Sequence, residues 1–391
     1  MSTVAAVTAA MALLTLAIWI YLVLARGGFW RCLERDDRDL PRTDPSSWPR
    51  VVAVIPARNE ADMIPRTVAS LLEQDYPGEF SIILVDDNSE DQTLAVAHAM
   101  AAKASSRLAI VQGSAPPRGW SGKLWALNQG IDQARVRFEA PDYLLLTDAD
   151  IEYERGVLRD LVRRAEARGL VLVSLMAKLR CRSLAERTLI PAFIFFFQML
   201  YPFAWVNRRD AKTAAAAGGC MLVLRSALDR AGGTASVRGA LIDDCALAAR
   251  LKEQGPIWLG LTERVTSVRP YAAFGDIRRM VTRSAYAQLR FSPSLLVAAV
   301  TGLALAYLAA PTIALFGSGS IRWLGAAAWT LMAFAFWPTL RFYGMSPLWS
   351  TSLPAVAAIY LVFTVDSALQ YALGRGGLWK GRVQALPSDD I

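Results

Sequence analysis

The sequence predicts an α/β domain built on a mostly parallel sheet, carried by one N-terminal and about three C-terminal transmembrane helices. Three observations predict it. Short β-rich runs alternate with amphipathic stretches between residues 49 and 290, the pattern of a sheet covered on both faces. Charge is absent from Met1 to Arg26, from Arg290 to Arg322, from Arg322 to Arg341 and from Arg341 to Asp366. The 391 residues are 54% hydrophobic and 19% charged, too apolar for a disordered chain or an ordinary soluble enzyme.

The elements follow in order. Val4 to Leu24 is long enough to span a bilayer at about 1.5 Å per residue. No Lys or Arg precedes it, so residues 1–25 read as a retained anchor rather than a cleaved signal peptide. Arg26, Arg31, Arg35, Arg38, Arg42 and Arg50 follow directly, which makes that flank cytoplasmic by the positive-inside rule. Residues 51–57, 81–87, 108–113, 142–150 and 170–176 read as buried strands. The stretches around 60–74, 91–104, 123–137, 154–168 and 245–253 read as helices. The apolar run 189–206 holds Pro191, Gln198 and Pro202 and reads as an amphipathic helix in the membrane interface. Within 294–375, spans are expected at about 295–316, 323–341 and 353–373. Three spans would leave the 376–391 tail outside, whereas Arg375, Lys380 and Arg382 favour the inside, so one segment is expected to be re-entrant or interfacial.

Composition narrows the chemistry. His98 is the single histidine, which argues against Ser-His-Asp or Cys-His catalysis and against His-rich zinc sites. Cys32, Cys181, Cys220 and Cys245 match no zinc or CxxC spacing. Carboxylates must then do the acid–base and metal work. The excess of 42 basic over 34 acidic residues gives +8, but the basic residues flank membrane segments instead of forming one stripe, which disfavours nucleic acid as partner. A transporter would spread polar residues through its spans, and these spans are nearly devoid of charge.

The candidate residues cluster at strand ends, where ligands bind in open parallel sheets. Asp148 and Asp150, at i and i+2 after the run Tyr143–Leu146, can share Mg²⁺ or Mn²⁺ through hard oxygens; a solvated acidic turn is the plain alternative. Asp86 and Asp87 follow a second strand and can accept hydrogen bonds from a ribose or base, although Asn88 or Ser89 there could simply cap a helix. Pro56, Ala57 and Glu60 end the first strand, with Glu60 at a helix start that favours an acid anyway. Gly122-Lys123 opens a helix that runs through Asn128 and can hold a phosphate or sugar oxygen, although the first Gly of a Walker A loop is missing. Gly218-Gly219-Cys220 and the paired acids Asp243-Asp244 complete the set.

Together VIPARNE (55–60 at its core), VDDNSEDQT, SGKLWALNQG, TDAD and Asp243-Asp244 resemble the motifs of the family 2 glycosyltransferases over about residues 50–290. That resemblance implies the Rossmann-like GT-A fold, a nucleotide-sugar donor and a divalent cation. Carried over position by position, it implies nucleoside contacts from Pro56, Ala57, Glu60, Asp86 and Asp87, donor contacts from Lys123, Asn128 and Asp148, a metal on Asp148 and Asp150, and a catalytic base at Asp244 beside Asp243. Gly219, Gln288 and Arg290 are the expected acceptor-side or gating residues. Processive members carry QxxRW; here Gln288-Leu289-Arg290-Phe291-Ser292 lacks the Trp, so transfer of a single sugar is expected. The layout looks most like the hopene-associated glycosyltransferases and is similar to ceramide glucosyltransferases. A hopanoid-related lipid acceptor is therefore expected, with a polyprenyl-phosphate or ceramide-like lipid as the alternative, in a bacterial-type inner membrane with the catalytic domain facing the cytoplasm.

Overall fold

The computed structural model describes residues 3–41, 43–104, 106–376, 378–379 and 382–383. Arg42, Lys380 and most of the 376–391 tail lie outside them. Eight strands form one sheet: β1 (Val51–Ala57), β2 (Phe80–Asp86), β3 (Leu108–Gln112), β4 (Tyr143–Leu146), β5 (Ile151–Tyr153), β6 (Leu172–Lys178), β7 (Met221–Leu224) and β8 (Ile257–Ser267). Their spatial order is β3-β2-β1-β4-β7-β6-β8-β5. The β3-β2-β1-β4 half is parallel and β6 pairs with β8 in parallel, while β7 runs antiparallel to both β4 and β6, and β5 antiparallel to β8. The expected strand over 142–150 is cut short: the chain leaves the sheet after Leu146 and returns as β5 at the far edge. β7 and β8 were not foreseen. β7 has only four residues, and β8 loses its apolar run at Thr262 and Glu263.

Helices α1 (Thr3–Leu24), α2 (Ile64–Leu72), α3 (Thr93–Ala101), α4 (Gly122–Arg137) and α5 (Val157–Arg168) lie close to their expected places. Side chains alternate across each strand. Val51, Ala53 and Ile55 join the core under α2 and α5. Val52 and Val54 join a second core with α4. This second core continues without a break into the membrane helices, through Phe195, Phe336 and Val356.

The run expected as an interfacial helix at 189–206 forms α6 (Leu184–Leu200) and the short α7 (Phe203–Val206). Ser183 and Glu186 close a capping box at its start. Most of α6 is buried, with Ile190, Ala192 and Phe195 fully enclosed. The chain then passes through α8 (Arg225–Arg230) and α9 (Asp243–Lys252), and through α10 (Phe274–Thr282) and α11 (Ala285–Gln288). Among the described residues, four helices are long and apolar enough to cross a membrane. They are α1, the pair α12 (Pro293–Leu303) and α13 (Ala309–Phe316) joined by a π-helical turn at Ala304–Leu308, α14 (Ile321–Phe342), and a run from Pro347 that includes α15 (Leu353–Ala372). The π turn loosens backbone pairing. The Trp19 indole donates to the Ala306 carbonyl at 2.6 Å and the Thr15 hydroxyl donates to the Leu305 carbonyl, so the freed groups stay satisfied inside the bundle.

Two polar contacts to α15 are prominent among those that bind the sheet domain to the bundle. Tyr360 on α15 donates to the Leu189 carbonyl of α6 at 2.9 Å. Arg278 on α10 donates through Nε and Nη2 to the two carboxylate oxygens of Asp366 on α15, at 2.8 and 3.0 Å. The one acid of α15 is thus neutralised by a guanidinium on the sheet domain.

Gly130 marks the closest approach of α4 to the sheet. A methyl there would collide with Val54 and sit 2.9 Å from Val85 Cγ2. Replacing a helical Gly by Ala ordinarily gains about 1 kcal/mol. Here overpacking of about 1–3 kcal/mol opposes that gain. Gly130→Ala is expected to lower the thermal midpoint of the purified protein, measured by calorimetry; an increase would show that the sheet yields freely.

Candidate functional site

β1 is flanked by β2 on one side and β4 on the other, so the segments leaving their carboxyl ends diverge and open a crevice. The loops after β1 and β2 interlock. Arg58 donates to the carbonyls of Asp87 (2.7 Å) and Asn88 (2.6 Å) and pairs with Glu90 at 2.8 Å. The Glu90 amide donates to the Asn59 side chain at 2.8 Å, and the Glu60 amide donates to the Thr93 hydroxyl at 2.7 Å. Asn59 and Asn88 both adopt φ 52°, a left-handed geometry that Asn tolerates. Asp87 is buried, and its amide donates to the Ala57 carbonyl at 2.8 Å. Asp86 accepts the Ser89 amide at 3.2 Å through Oδ2, while its Oδ1 is buried with no hydrogen-bond partner among the described residues. An orphaned buried acceptor costs about 1–3 kcal/mol, so this oxygen is a place where a donor group would be stabilising.

The next shelf is built by α4, β4 and α9. Ser121 caps α4, accepting the Leu124 amide at 3.3 Å. Lys123 follows, and its Nζ lies 2.8 Å from Asp148 Oδ1 and 3.4 Å from Asp243 Oδ2. Asp243 and Asp244 begin α9, where the helix dipole favours acids. Asp244 accepts the Gly218 amide at 2.9 Å and the Cys245 amide at 2.8 Å. Burial alone would lower the Lys123 pKa, but Asp148 and Asp243 more than reverse this and hold the ammonium protonated. Burial pushes Asp148 up, and Lys123 pulls it below the ordinary aspartate range. Asp244 moves the other way: burial raises it, the Asp243 charge raises it further, and Lys123 offsets only part of the rise. The space enclosed by Pro56, Lys123, Thr147, Asp148, Gly218 and Asp244 is about 10 Å³, barely one water's worth.

Asp150 belongs to a second ion group. Its Oδ2 accepts from Arg269 Nε at 2.8 Å and from the Ser267 hydroxyl at 3.1 Å. The other arm of Arg269 reaches Glu60 at 2.6 Å. Burial would lower the Arg269 pKa, and the charges of Asp150 and Glu60 raise it instead. Arg283 and Arg269 add to the field that lowers Asp148, so the two groups act on each other. The two acids expected to share a metal thus face different cations here. The described contacts of Asp148 fall on Oδ1 and those of Asp150 on Oδ2, which keeps a second oxygen on each for a divalent ion. No three His, Cys, Asp or Glu side chains gather as a cage among the described residues. A hard-oxygen pair completed by phosphate and water is the ordinary Mg²⁺ arrangement, and these donors fit it.

The remaining candidates scatter in informative ways. Pro56 lines the crevice, and Ala57 is fully buried. The Gly219 carbonyl accepts from Thr147 (2.8 Å) and Tyr153 (3.0 Å), fixing the entrance to β7. Asn128 turns to Thr234 (2.9 Å) and Asp132 (3.1 Å) and lines a neighbouring cavity of about 400 Å³ instead of the Lys123 cluster. Gln288 is bonded to Tyr201. Burial, then the Cys245 and Asp244 surroundings, push the Tyr201 phenol up to about 12, which places this pair beside Asp244. Arg290 is exposed at φ 52°. Sequence reasoning missed Arg58, Tyr201, Ser267 and Arg269. Recognising β8 as a strand would have put Ser267 and Arg269 at a strand end; nothing local marks Arg58 or Tyr201.

Residues 52–232 match the sequence model described as Glycosyl transferase family 2. The chain is 28% identical over 252 residues to the probable glycosyltransferase YdaM of Bacillus subtilis, covering 61% of this chain and 56% of that protein. It is 30% identical over 116 residues to a beta-monoglucosyldiacylglycerol synthase of Synechocystis, covering 29% of this chain and 22% of that protein. It is 30% identical over 118 residues to a 4,4'-diaponeurosporenoate glycosyltransferase of Staphylococcus haemolyticus, covering 30% of this chain and 28% of that protein. The matches thus span about half or less of each relative's own length. Among solved structures, the mannosyltransferase PcManGT of Pyrobaculum calidifontis, in complex with GDP-Man and Mn²⁺, superposes with a TM-score of 0.60 at 21% identity, covering 93% of this chain and 99% of that one.

Arg269 neutralises two acids at once. Arg269→Met leaves Asp150 and Glu60 without their cation. The cost is expected to be on the order of 2 kcal/mol, below the about 3–5 kcal/mol of a fully buried pair because Arg269 keeps partial solvent contact. Adding Glu60→Gln should recover part of it. Denaturant unfolding of the three proteins checks this; additive losses would dissolve the network.

Proposed function

We propose that this chain, whose residues 52–232 match the glycosyl transferase family 2 model and whose fold superposes on that of PcManGT, is a membrane-bound inverting glycosyltransferase. It moves one sugar from a nucleotide-sugar donor to a lipid acceptor. The observation that carries the reading is Asp244, a half-buried carboxylate with a raised pKa, fixed by the Gly218 amide beside a cation already holding two acids. A base with its pKa moved toward neutrality is suited to take a proton at working pH.

The reaction assigns a task to each group. Asp244 takes the proton of the acceptor hydroxyl as that oxygen bonds to the anomeric carbon. The bond from that carbon to the diphosphate oxygen breaks, and the diphosphate leaves with the electron pair. One displacement from the opposite face inverts the centre. Lys123, set free from Asp148 and Asp243 when the donor enters, supplies positive charge to the leaving diphosphate. Asp148 and Asp150 would hold a Mg²⁺ or Mn²⁺ ion, whose chemistry is to screen that same charge. Asp86, through its unpartnered Oδ1, and Asp87 lie where a ribose or base can donate, with Pro56, Ala57 and Glu60 forming the same rim. Asn128 contributes through its own cavity.

The acceptor reading rests on the four membrane-length helices and on relatives named for a diacylglycerol and a diaponeurosporenoate. A lipid stays in the bilayer, so the site must sit against it. The sequence resemblance favours a hopanoid-related acceptor at the inner leaflet of a bacterial membrane. Gly219, Gln288 and Arg290 face the acceptor side in this reading.

Asp244→Asn is expected to keep nucleotide binding within a few-fold and to reduce transfer at least ~1000-fold, near the upper range of general-base effects; retained turnover would remove Asp244 as the base. The base acts deprotonated and its pKa is raised. Acidification should therefore depress kcat/KM at a pH at least one unit above the roughly 3.9 of free aspartate; a pH–rate profile checks the limb. EDTA should stop transfer and Mn²⁺ or Mg²⁺ restore it. Unchanged turnover in EDTA would dismiss the cation.

A further inference from the structure

A second cavity lies away from the crevice and shares none of its lining residues. It encloses about 480 Å³ between the last turn of α14 and the segment that follows α1. Trp337, Arg341 and Phe342 come from α14, and Arg31, Arg35 and Arg38 from the post-α1 segment. We propose that it binds the phosphate-bearing head group of an anionic phospholipid.

Charge makes the first argument. Arg35 pairs with Asp37 at 3.0 Å and with Glu263 at 2.6 Å, and Lys178 pairs with Glu263 at 3.0 Å. Two cations and two acids therefore cancel. Arg35 and Lys178 also lie over the Phe342 ring, at 5.2 and 4.8 Å, which holds Arg35 against the apolar wall of the cavity and Lys178 beside it. Arg31, Arg38 and Arg341 line the same space, and none of them forms an ion pair among the described residues. Three guanidiniums gathered beside apolar surface repel one another, and one phosphate with its several acceptor oxygens relieves that repulsion by paired hydrogen bonds.

Position makes the second. α1 ends at Leu24 and α14 ends at Phe342; α1 is apolar throughout, and α14 is free of charge between Arg322 and Arg341. The cavity therefore sits where the hydrocarbon ends and head groups begin. Trp337 is 44% exposed on its wall, the placement of an interfacial aromatic. Leu24 is 77% exposed nearby along the chain, a lipid-facing surface for acyl chains. Basic pockets between membrane helices select anionic head groups. A free phosphate ion would satisfy the arginines but make no use of the adjoining apolar helix faces. The inference does not depend on which lipid accepts the sugar.

The test titrates phosphatidylglycerol onto the full-length protein in detergent by native mass spectrometry, with phosphatidylcholine as the neutral comparison and inorganic phosphate as competitor. Phosphatidylglycerol should bind at least ~10-fold more tightly than phosphatidylcholine. The Arg38→Gln/Arg341→Gln double variant should weaken it roughly 10- to 30-fold, from the loss of two interfacial charges. Arg38→Lys/Arg341→Lys should keep most of the affinity, and Asp244→Asn all of it. A wild type with no preference for phosphatidylglycerol, or a Gln double variant that binds as wild type, overturns the proposal. So does displacement of the lipid by millimolar phosphate, which would make this a free-anion site.

Discussion

Three carboxylates crowd the mouth of this sheet, and one ammonium keeps them together. Lys123 touches Asp148 and Asp243 and weakens the strain on Asp244. Its reach is unequal, and the inequality separates the acids. Asp148, in direct contact, is driven toward permanent ionisation, whereas Asp244, outside that contact and next to the Asp243 charge, is left holding its proton more tightly. Environments that push neighbouring acids apart are how a site divides roles among identical groups. Identical side chains are thus set to opposite proton affinities, the division of labour on which the proposed mechanism rests.

A second tier of compensation surrounds the first. Arg269 ties Glu60, from the end of β1, to Asp150, from the start of β5. Four strands separate β1 from β5 in the sheet order, so the bridge joins segments that the sheet itself does not pair. Close by, Glu186 accepts three backbone amides, from Arg182, Ser183 and Tyr271, each within 2.8 Å. Burial would raise its pKa, and these hydrogen bonds lower it below the usual range. The segment carrying Arg269 is thereby stitched to α6, and α6 to the membrane helices.

That stitching explains why the bundle and the sheet share one core. Tyr360 and Tyr307 clasp α6 by hydrogen bonds and by edge contacts with Phe196. Ser367 accepts the Tyr286 amide and donates to the Thr282 carbonyl, beside the Arg278–Asp366 fork. A crevice anchored this way keeps a fixed position relative to the long helices, the relation that the proposed transfer to a bilayer-confined acceptor requires.

Local periodicity and composition determined much of this protein. Apolar runs of seven residues became β1 and β2, charge-free runs became the long helices, and acids placed just past strands came to rest around one crevice, because burial of those strands leaves their polar ends nowhere else to go. Where the pattern was weak, reading failed: four residues of β7 carry no period, and β8 ends in Thr and Glu that look like a loop. Only the tertiary structure decided which charges meet. Arg269 selects Asp150, Asp366 selects Arg278, and Asn128 turns to Thr234, pairings separated by 88 to 119 residues in the first three named acids and amides. A long flexible side chain offers no sequence signal for its partner. Its choice is a Coulombic and geometric outcome of the finished fold, made after the hydrophobic pattern has fixed where each backbone lies.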